Sequence, residues 1–339
     1  MLQIENNTPF ETYIHHFVNE NDKDTLYTIV KGTFAISPDV KLAESQIAVN
    51  FEDEFWGTPG ESSIKYASDL NLKKPSTDII MIGDACAPDY QKVISLDTSI
   101  SVAKKTKRIK VWGHREWVRD IFGYRSSMPM PFQRMPMTYE NAFGGTHSVN
   151  SKKSIILYEP NNPVGKGFIG KRNKKEILGM PLPNLDDPKN PLKKPKNNPS
   201  PACYGFTAPN WMPRMAYAGT YDEAWQKKRA PYLPDNFDTR FFNMAHQDLI
   251  YNAYLKGGEP VEINGMSPMG TLKFNLPVCQ IDIAVSIEKT TVPSEVNLET
   301  IVFEPGENRF TMLWRSAVEA DKGIVHVDKS TVTLNKITY

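Results

Sequence analysis

The sequence predicts a mainly β protein: an antiparallel, sandwich-like scaffold with a long Pro- and aromatic-rich irregular middle and two short helices. Three observations lead there. Short β-branched runs bounded by Gly, Pro, Asp or Lys-rich turns fill the first and last thirds of the chain. In several of them apolar and polar residues alternate, the period of a half-buried strand. The 26 prolines among 339 residues exceed the ordinary ~5% and crowd the middle, where they remove backbone donors and exclude central strands and long helices.

The first strands are "DTLYTIVKGTFAI" (24–36), "TDIIMIGDA" (77–85), "KVISLDTSISVA" (92–103) and "TKRIKVWG" (106–113). In 92–103, Ile94, Leu96, Thr98, Ile100 and Val102 share one face, while Val93, Ser95, Asp97 and Ser99 take the other. The last third repeats the pattern. Cys279, Ile281, Ile283, Val285 and Ile287 have one parity, and 295–318 reads as two strands joined by the "EPGEN" turn, with Phe310, Met312 and Trp314 on a common face. "TVTLNKITY" closes the chain as a strand. The helices fall at 221–229, with acids in its first turn and bases in its last, and at 246–258, which ends in a Gly pair suited to a C-cap. The whole reads as one domain: a β-rich N-terminal region over 1–124, a Pro-rich loop region over 125–258 and a β-rich C-terminal region over 259–339.

Composition narrows the function. A formal charge of +1 supplies no overall field for nucleic acid or an anionic membrane. The N-terminus lacks the basic start and apolar run of a secretory signal, and no stretch nears the roughly 18 apolar residues of a spanning helix. The expected location is the cytoplasm, without membrane insertion. Cys86, Cys203 and Cys279 are scattered, without CxxC spacing, so reduced thiols are expected. His15 and His16 are adjacent on a strand and point to opposite faces, so no metal is expected there. Neither GxSxG nor a P-loop is present, and "PVGKGFIGK" (163–171) reads as a Gly-rich turn. No cofactor and no catalytic residue is assigned.

What the middle does contain is aromatic residues interleaved with arginine and acid. "VWGHREWVRD" (111–120) holds Trp112, Arg115 and Trp117; "PFQRMPMTYENAFGG" (131–145) holds Arg134, Tyr139, Glu140 and Phe143; "WMPRMAYAGTYDEAW" (211–225) holds Trp211, Arg214, Tyr221 and Trp225; "LPDNFDTRFFN" (233–243) holds Phe237. Such residues staple loops onto a β core through ring burial and Arg–acid pairs. They are also the residue types that dominate interface hot spots, so these twelve form the candidate partner-binding set. The alternative is a carbohydrate-active or other hydrolytic β-protein, with the tryptophans lining a cleft and Asp222, Asp235 or Asp238 as acid and base.

These segments, together with 55–88, 162–168 and 182–188, resemble successive blocks of the bacterial domain-of-unknown-function family 2169. The blocks occur in order over about residues 25–280. The resemblance implies a non-enzymatic adaptor or chaperone of the type VI secretion system, which binds a PAAR-containing effector and assists its loading onto the VgrG spike. Within it, "PFQRMPMTYENAFGG" is expected to be a non-repetitive clasp. Pro131 and Pro136 stiffen the chain, Phe132, Tyr139 and Phe143 bury against the β core, Gly144-Gly145 takes a conformation closed to other residues, and Arg134 and Glu140 pair within it or with a neighbouring loop.

Overall fold

A computed structural model describes residues 2–150, 155–320 and 323–339. Three sheets organise it. A six-stranded sheet runs in the order Glu11–Val18, Asp24–Ala35, Arg309–Glu319, Asn297–Glu304, Asp78–Met81, with Lys41–Leu42 paired to Asp24–Ala35 off that path. A five-stranded sheet is ordered Leu185–Asp186, Lys105–Trp112, Ser95–Val102, Pro260–Asn264, Leu272–Asn275. A four-stranded sheet is ordered Gln3–Asn7, Val327–Thr338, Val278–Ile287, Thr290–Ser294. Most pairs are antiparallel. Gln3–Asn7 beside Val327–Thr338 and Asp78–Met81 beside Asn297–Glu304 are parallel, which makes two of the sheets mixed.

The predicted parities hold because one apolar core serves all three sheets. Val30, Phe34, Phe303, Phe310, Met312 and Trp314 of the first sheet join Ile100, Val102, Ile109 and Val111 of the second and Ile281, Ile283 and Val332 of the third. Phe34 and Phe274 both stack on Phe310 at 5.4 Å, the offset geometry that ring quadrupoles favour. Ile94 departs from its expected face and is exposed, because the regular strand begins only at Ser95.

The helices differ from expectation at one place. Glu223–Lys228 is helical, capped by the Asp222 side chain on Trp225 N. The 246–258 segment forms only a 3-10 turn, Gln247–Leu249. Beyond it the chain is drawn out along Thr77, with Tyr251 N donating to Thr77 O and Leu255 N to Thr77 Oγ1. Pairing with a sheet edge thereby replaces the i→i+4 ladder. The second α-helix is instead Lys174–Ile177, held by a capping box between Asn173 and Glu176.

The six-stranded sheet is buried on its other face as well, and that face carries charge. Arg315 Nε donates to Glu299 Oε2 at 2.7 Å with both side chains at most 1% exposed. Lys74 Nζ lies 2.6 Å from Asp78, and Lys31 Nζ 2.8 Å from Asp69. The covering loops bond to the same groups: Lys74 N donates to Glu299, Met244 N and Asn243 Nδ2 to Asp78, Asn50 N to Asp69, and Arg315 Nη2 to the Asp69 carbonyl. Irregular segments around 47–76 and 241–255 are therefore fastened to the sheet by ion pairs whose remaining valences are filled by the loops' own backbone.

His15 sits at the end of this seam. It stacks on Tyr27 at 5.2 Å, and its Nε2 lies 3.1 Å from Arg315 Nη1, so it accepts as neutral imidazole. Burial, then the Arg315 charge, lowers its pKa to about 3; neighbouring His16 is exposed. The folded value lies below the unfolded ~6.5, so the unfolded chain binds the extra proton between the two. His15's contribution is complete above pH ~6.5 and declines as pH falls toward about 3. Denaturant titrations at pH 7 and pH 4.5 are expected to show a loss that His15→Gln reduces by ~1–2 kcal/mol. Arg315→Met alone is expected to cost ~3–5 kcal/mol, because it strands buried Glu299, and Arg315→Met/Glu299→Leu to recover most of that loss.

Candidate partner-binding site

At Trp112 the chain leaves the five-stranded sheet and becomes the middle of a narrow ribbon. On one side Trp117 N bonds Met180 O, Gly179 N bonds Trp117 O and Leu182 N bonds Arg115 O. On the other, Ser127 N bonds Glu116 O and Met130 N bonds His114 O. The ribbon ends in a hairpin, Trp117–Asp120 paired with Gly123–Ser126. Gly113 is required where the ribbon starts, since a Cβ there would lie 1.7 Å from the Met130 carbonyl oxygen.

A small separate core supports this ribbon: Trp117, Phe143, Ile177, Leu182 and Leu192. The 131–145 segment links that core to the main one. Phe132, Met135, Met137 and Tyr139 enter the main core, Phe143 the small one, and Phe143–Gly144 pairs in parallel with Lys166–Gly167. Gly144 has φ +153°, and a Cβ there would lie 2.1 Å from Asn162 O. Asn162 explains the close approach: fully buried, it donates through Nδ2 to Tyr139 O and Phe143 O, and its carbonyl accepts from Gly145 N. The glycines of "PVGKGF" thus form the other half of a clasp.

On this support stand side chains that have no cover. Ile121 is 92% and Phe122 93% exposed at the hairpin tip, and Met128 and Met130 follow at 77% and 62%. A second hairpin, Thr146–Asn150 with Ile155–Tyr158, exposes Ile155, Ile156 and Tyr158. Both hairpins are tied to the same intervening chain: Tyr124 Oη donates to Lys174 O, and Arg172 Nη2 to Thr146 O. Polar groups flank the tip, with Asp120 and Arg125 paired at 3.2 Å. Scattered exposed apolar residues are ordinary, whereas grouped ones at rigid positions mark contact surfaces.

The twelve sequence-derived residues fall into two groups. Trp117, Tyr139, Phe143, Trp211 and Arg214 are buried: Tyr139 meets Trp211 edge-on at 5.2 Å and lies 3.1 Å from Thr207 Oγ1, while Arg214 bonds the Thr207 and Phe241 carbonyls. Arg115 is nearly enclosed, donating to Asp186 Oδ2 and Pro183 O and stacking 4.6 Å from the Trp112 ring. Burial raises the Asp186 pKa, and Arg115 partly offsets that. These six side chains staple loops. Glu140 accepts from Ser63 N and Oγ, and Arg134 reaches Asp84 at 3.9 Å, so the two engage neighbouring segments rather than each other. Tyr221, just before the outer helix, and Trp225 within it form an edge-on pair at 4.7 Å, and Phe237 packs on Phe241 and Phe242.

The carboxylates of the hydrolytic alternative are similarly engaged. Asp222 caps its helix, Asp235 pairs with Arg229 at 3.0 Å, and Asp238 grips Arg240 and caps 239–242. Trp112, Trp117, Trp211 and Trp225 do not share one cleft: Trp117 and Trp211 lie in different cores, and Trp225 pairs with Tyr221. Ile121, Phe122, Met128 and Met130 escaped the sequence reading. The signal for Ile121 and Phe122 is "RDIFGYR", an apolar pair at a hairpin turn, where Asn, Asp or Gly is usual.

Comparison with known families matches residues 21–315 to a model described as an uncharacterized protein conserved in bacteria (DUF2169). No curated protein and no solved structure matches the chain.

Gly113→Ala is expected to cost ~1–3 kcal/mol in chemical denaturation. Ile121→Ser/Phe122→Ser, confined to the tip, is expected to stay within ~0.5 kcal/mol of the parent.

Proposed function

This chain belongs to DUF2169, the family of uncharacterized proteins conserved in bacteria, and on that premise we propose that it is a non-enzymatic adaptor that grips another polypeptide through its hairpin face. The partner is a PAAR-containing type VI secretion effector, held in the cytoplasm and delivered to the VgrG spike. The observation that carries the gripping role is the Ile121–Phe122 tip, more than nine-tenths exposed yet braced by a buried Trp117 and a Gly-dependent ribbon. An apolar pair fixed in water gains by being covered, ~25 cal/mol per Å² of apolar surface removed. The identity of the partner rests on the family resemblance. Nothing in this role calls on the carboxylates, which serve as caps and arginine partners.

No helix among the described residues is long and apolar enough to cross a membrane, which is compatible with that role. Co-expression with a PAAR effector encoded beside this protein, followed by size exclusion, is expected to yield one complex and a more soluble effector. Ile121→Asp/Phe122→Asp is expected to abolish the complex with an unchanged melting temperature. An effector equally soluble alone, with no co-elution, would sink the adaptor reading. Intact binding by the doubly charged variant would move the contact elsewhere.

A further inference from the structure

Five buried cations occur among the described residues: Lys31, Lys74, Lys107, Arg214 and Arg315. Four have a carboxylate within ion-pair distance, namely Asp69, Asp78, Asp248 and Glu299. Arg214 has none. Its Nε donates to Phe241 O at 2.7 Å and its Nη1 to Thr207 O at 2.8 Å, and its guanidinium lies 5.1 Å from the Phe241 ring. Among the described residues Nη2 meets no acceptor. Asp78, the acid whose charge acts on it most, is held by Lys74 at 2.6 Å. Burial lowers the Arg214 pKa to about 10, so the group stays charged at neutral pH.

Nη2 is not among the enclosed unpaired side-chain atoms, so this edge of an otherwise buried guanidinium opens on solvent, where an anion can complete it. Space for that exists, because Arg214 lines a groove of about 460 Å³ between the 200–217 and 240–252 segments, a size typical of ligand clefts. The rest of the lining mixes polar and apolar groups. Tyr217 and Tyr251 contribute rings, and Gln247 and Asn252 contribute side-chain amides that make no hydrogen bond among the described residues. Lys107, Arg240, Asp187 and Asp248 also line the groove; Lys107 is paired with Asp248 and Arg240 with Asp238, so Arg214 is the lining cation without a carboxylate of its own, which favours a single negative charge over a phosphate dianion. One monoanionic carboxylate flanked by hydrogen-bonding groups fits this arrangement, and an extended peptide has that composition.

We propose that this groove captures a carboxylate carried by an extended segment of a polypeptide partner, with Arg214 Nη2 as its donor and the Gln247 and Asn252 amides positioned for the adjoining backbone. The polypeptide nature of the ligand rests on the adaptor reading above. The carboxylate is either an Asp or Glu side chain or a chain terminus.

Selection of random heptapeptides against the full chain separates these sources when one library is displayed internally and the other ends in a free C-terminus. An acid fixed at one position of internal winners assigns the side chain, and winners from the free-terminus library alone assign the terminus. Amidation of the winning carboxyl is expected to weaken binding, read by fluorescence anisotropy, at least about tenfold. Gln247→Glu, exposed on the rim, is expected to weaken it severalfold without moving the melting temperature. Lack of winners, winners without an acid, equal binding of neutralised peptides, indifference to Gln247→Glu or displacement by millimolar inorganic phosphate would each overturn the proposal. An effector complex that tolerates Gln247→Glu but not Ile121→Asp/Phe122→Asp removes the groove and leaves the adaptor role. Selective acidic-peptide binding without an effector complex does the reverse.

Discussion

The structure depends on charge buried between a sheet and the irregular chain that covers it. Arg315, Glu299, Asp78 and Lys74 project from or onto a face of the six-stranded sheet that an ordinary sandwich would fill with aliphatic side chains. An apolar face accepts many coverings. A face of ion pairs accepts only a covering that places backbone N–H and carbonyl groups at the unfilled valences, as Lys74 N, Met244 N and the Asp69 carbonyl do. The pairs add little net stability over apolar residues of the same shape, but losing one partner is expensive. Their physical effect is to select one path for a coat that has almost no secondary structure of its own.

That selection reaches the hairpin face. The coat is joined to the 131–145 clasp by Glu140, which accepts from Ser63 N and Oγ; Phe143 of that clasp belongs to the small core under the ribbon while Tyr139 belongs to the main core. Backbone contacts too close for any Cβ, at Gly113 and Gly144, lock the ribbon and clasp to their neighbours. An exposed hairpin is usually among the least ordered regions of a fold. Here it begins at a buried tryptophan, so its apolar tip has a defined position, and a partner would bear less of the ordering cost of association.

The two proposed recognition surfaces lie on one scaffold. The tip offers apolar area without direction. The groove holding Arg214 offers a directed charge set among polar and apolar surface. Together they suit an adaptor that recognises a chain segment by one anionic anchor and holds a folded or partly folded surface by contact area. The burial of Trp117, Trp211 and Phe143 shows why aromatic-rich irregular sequence is ambiguous: the same rings serve a loop staple and an interface anchor, and only exposure separates the two uses.

What this sequence determined by itself was the alternation of its strands. Side chains at i and i+2 must share a face, so Phe310, Met312 and Trp314 were bound to be buried together, as were Ile281 and Ile283. The need for Gly144 and Gly145 could also be read locally. Tertiary structure alone decided the rest, because it turns on contacts between residues far apart in the chain. The Gly-terminated 246–258 stretch became extended through Thr77, a residue 178 positions before Leu255. Arg214 kept an idle donor because Lys74 had taken Asp78. Ile121 and Phe122 were left in water because the ribbon that carries them runs past the end of the core. Periodicity reports which side of a strand faces inward, and it carries no information about which distant segment will cover that side or leave it bare.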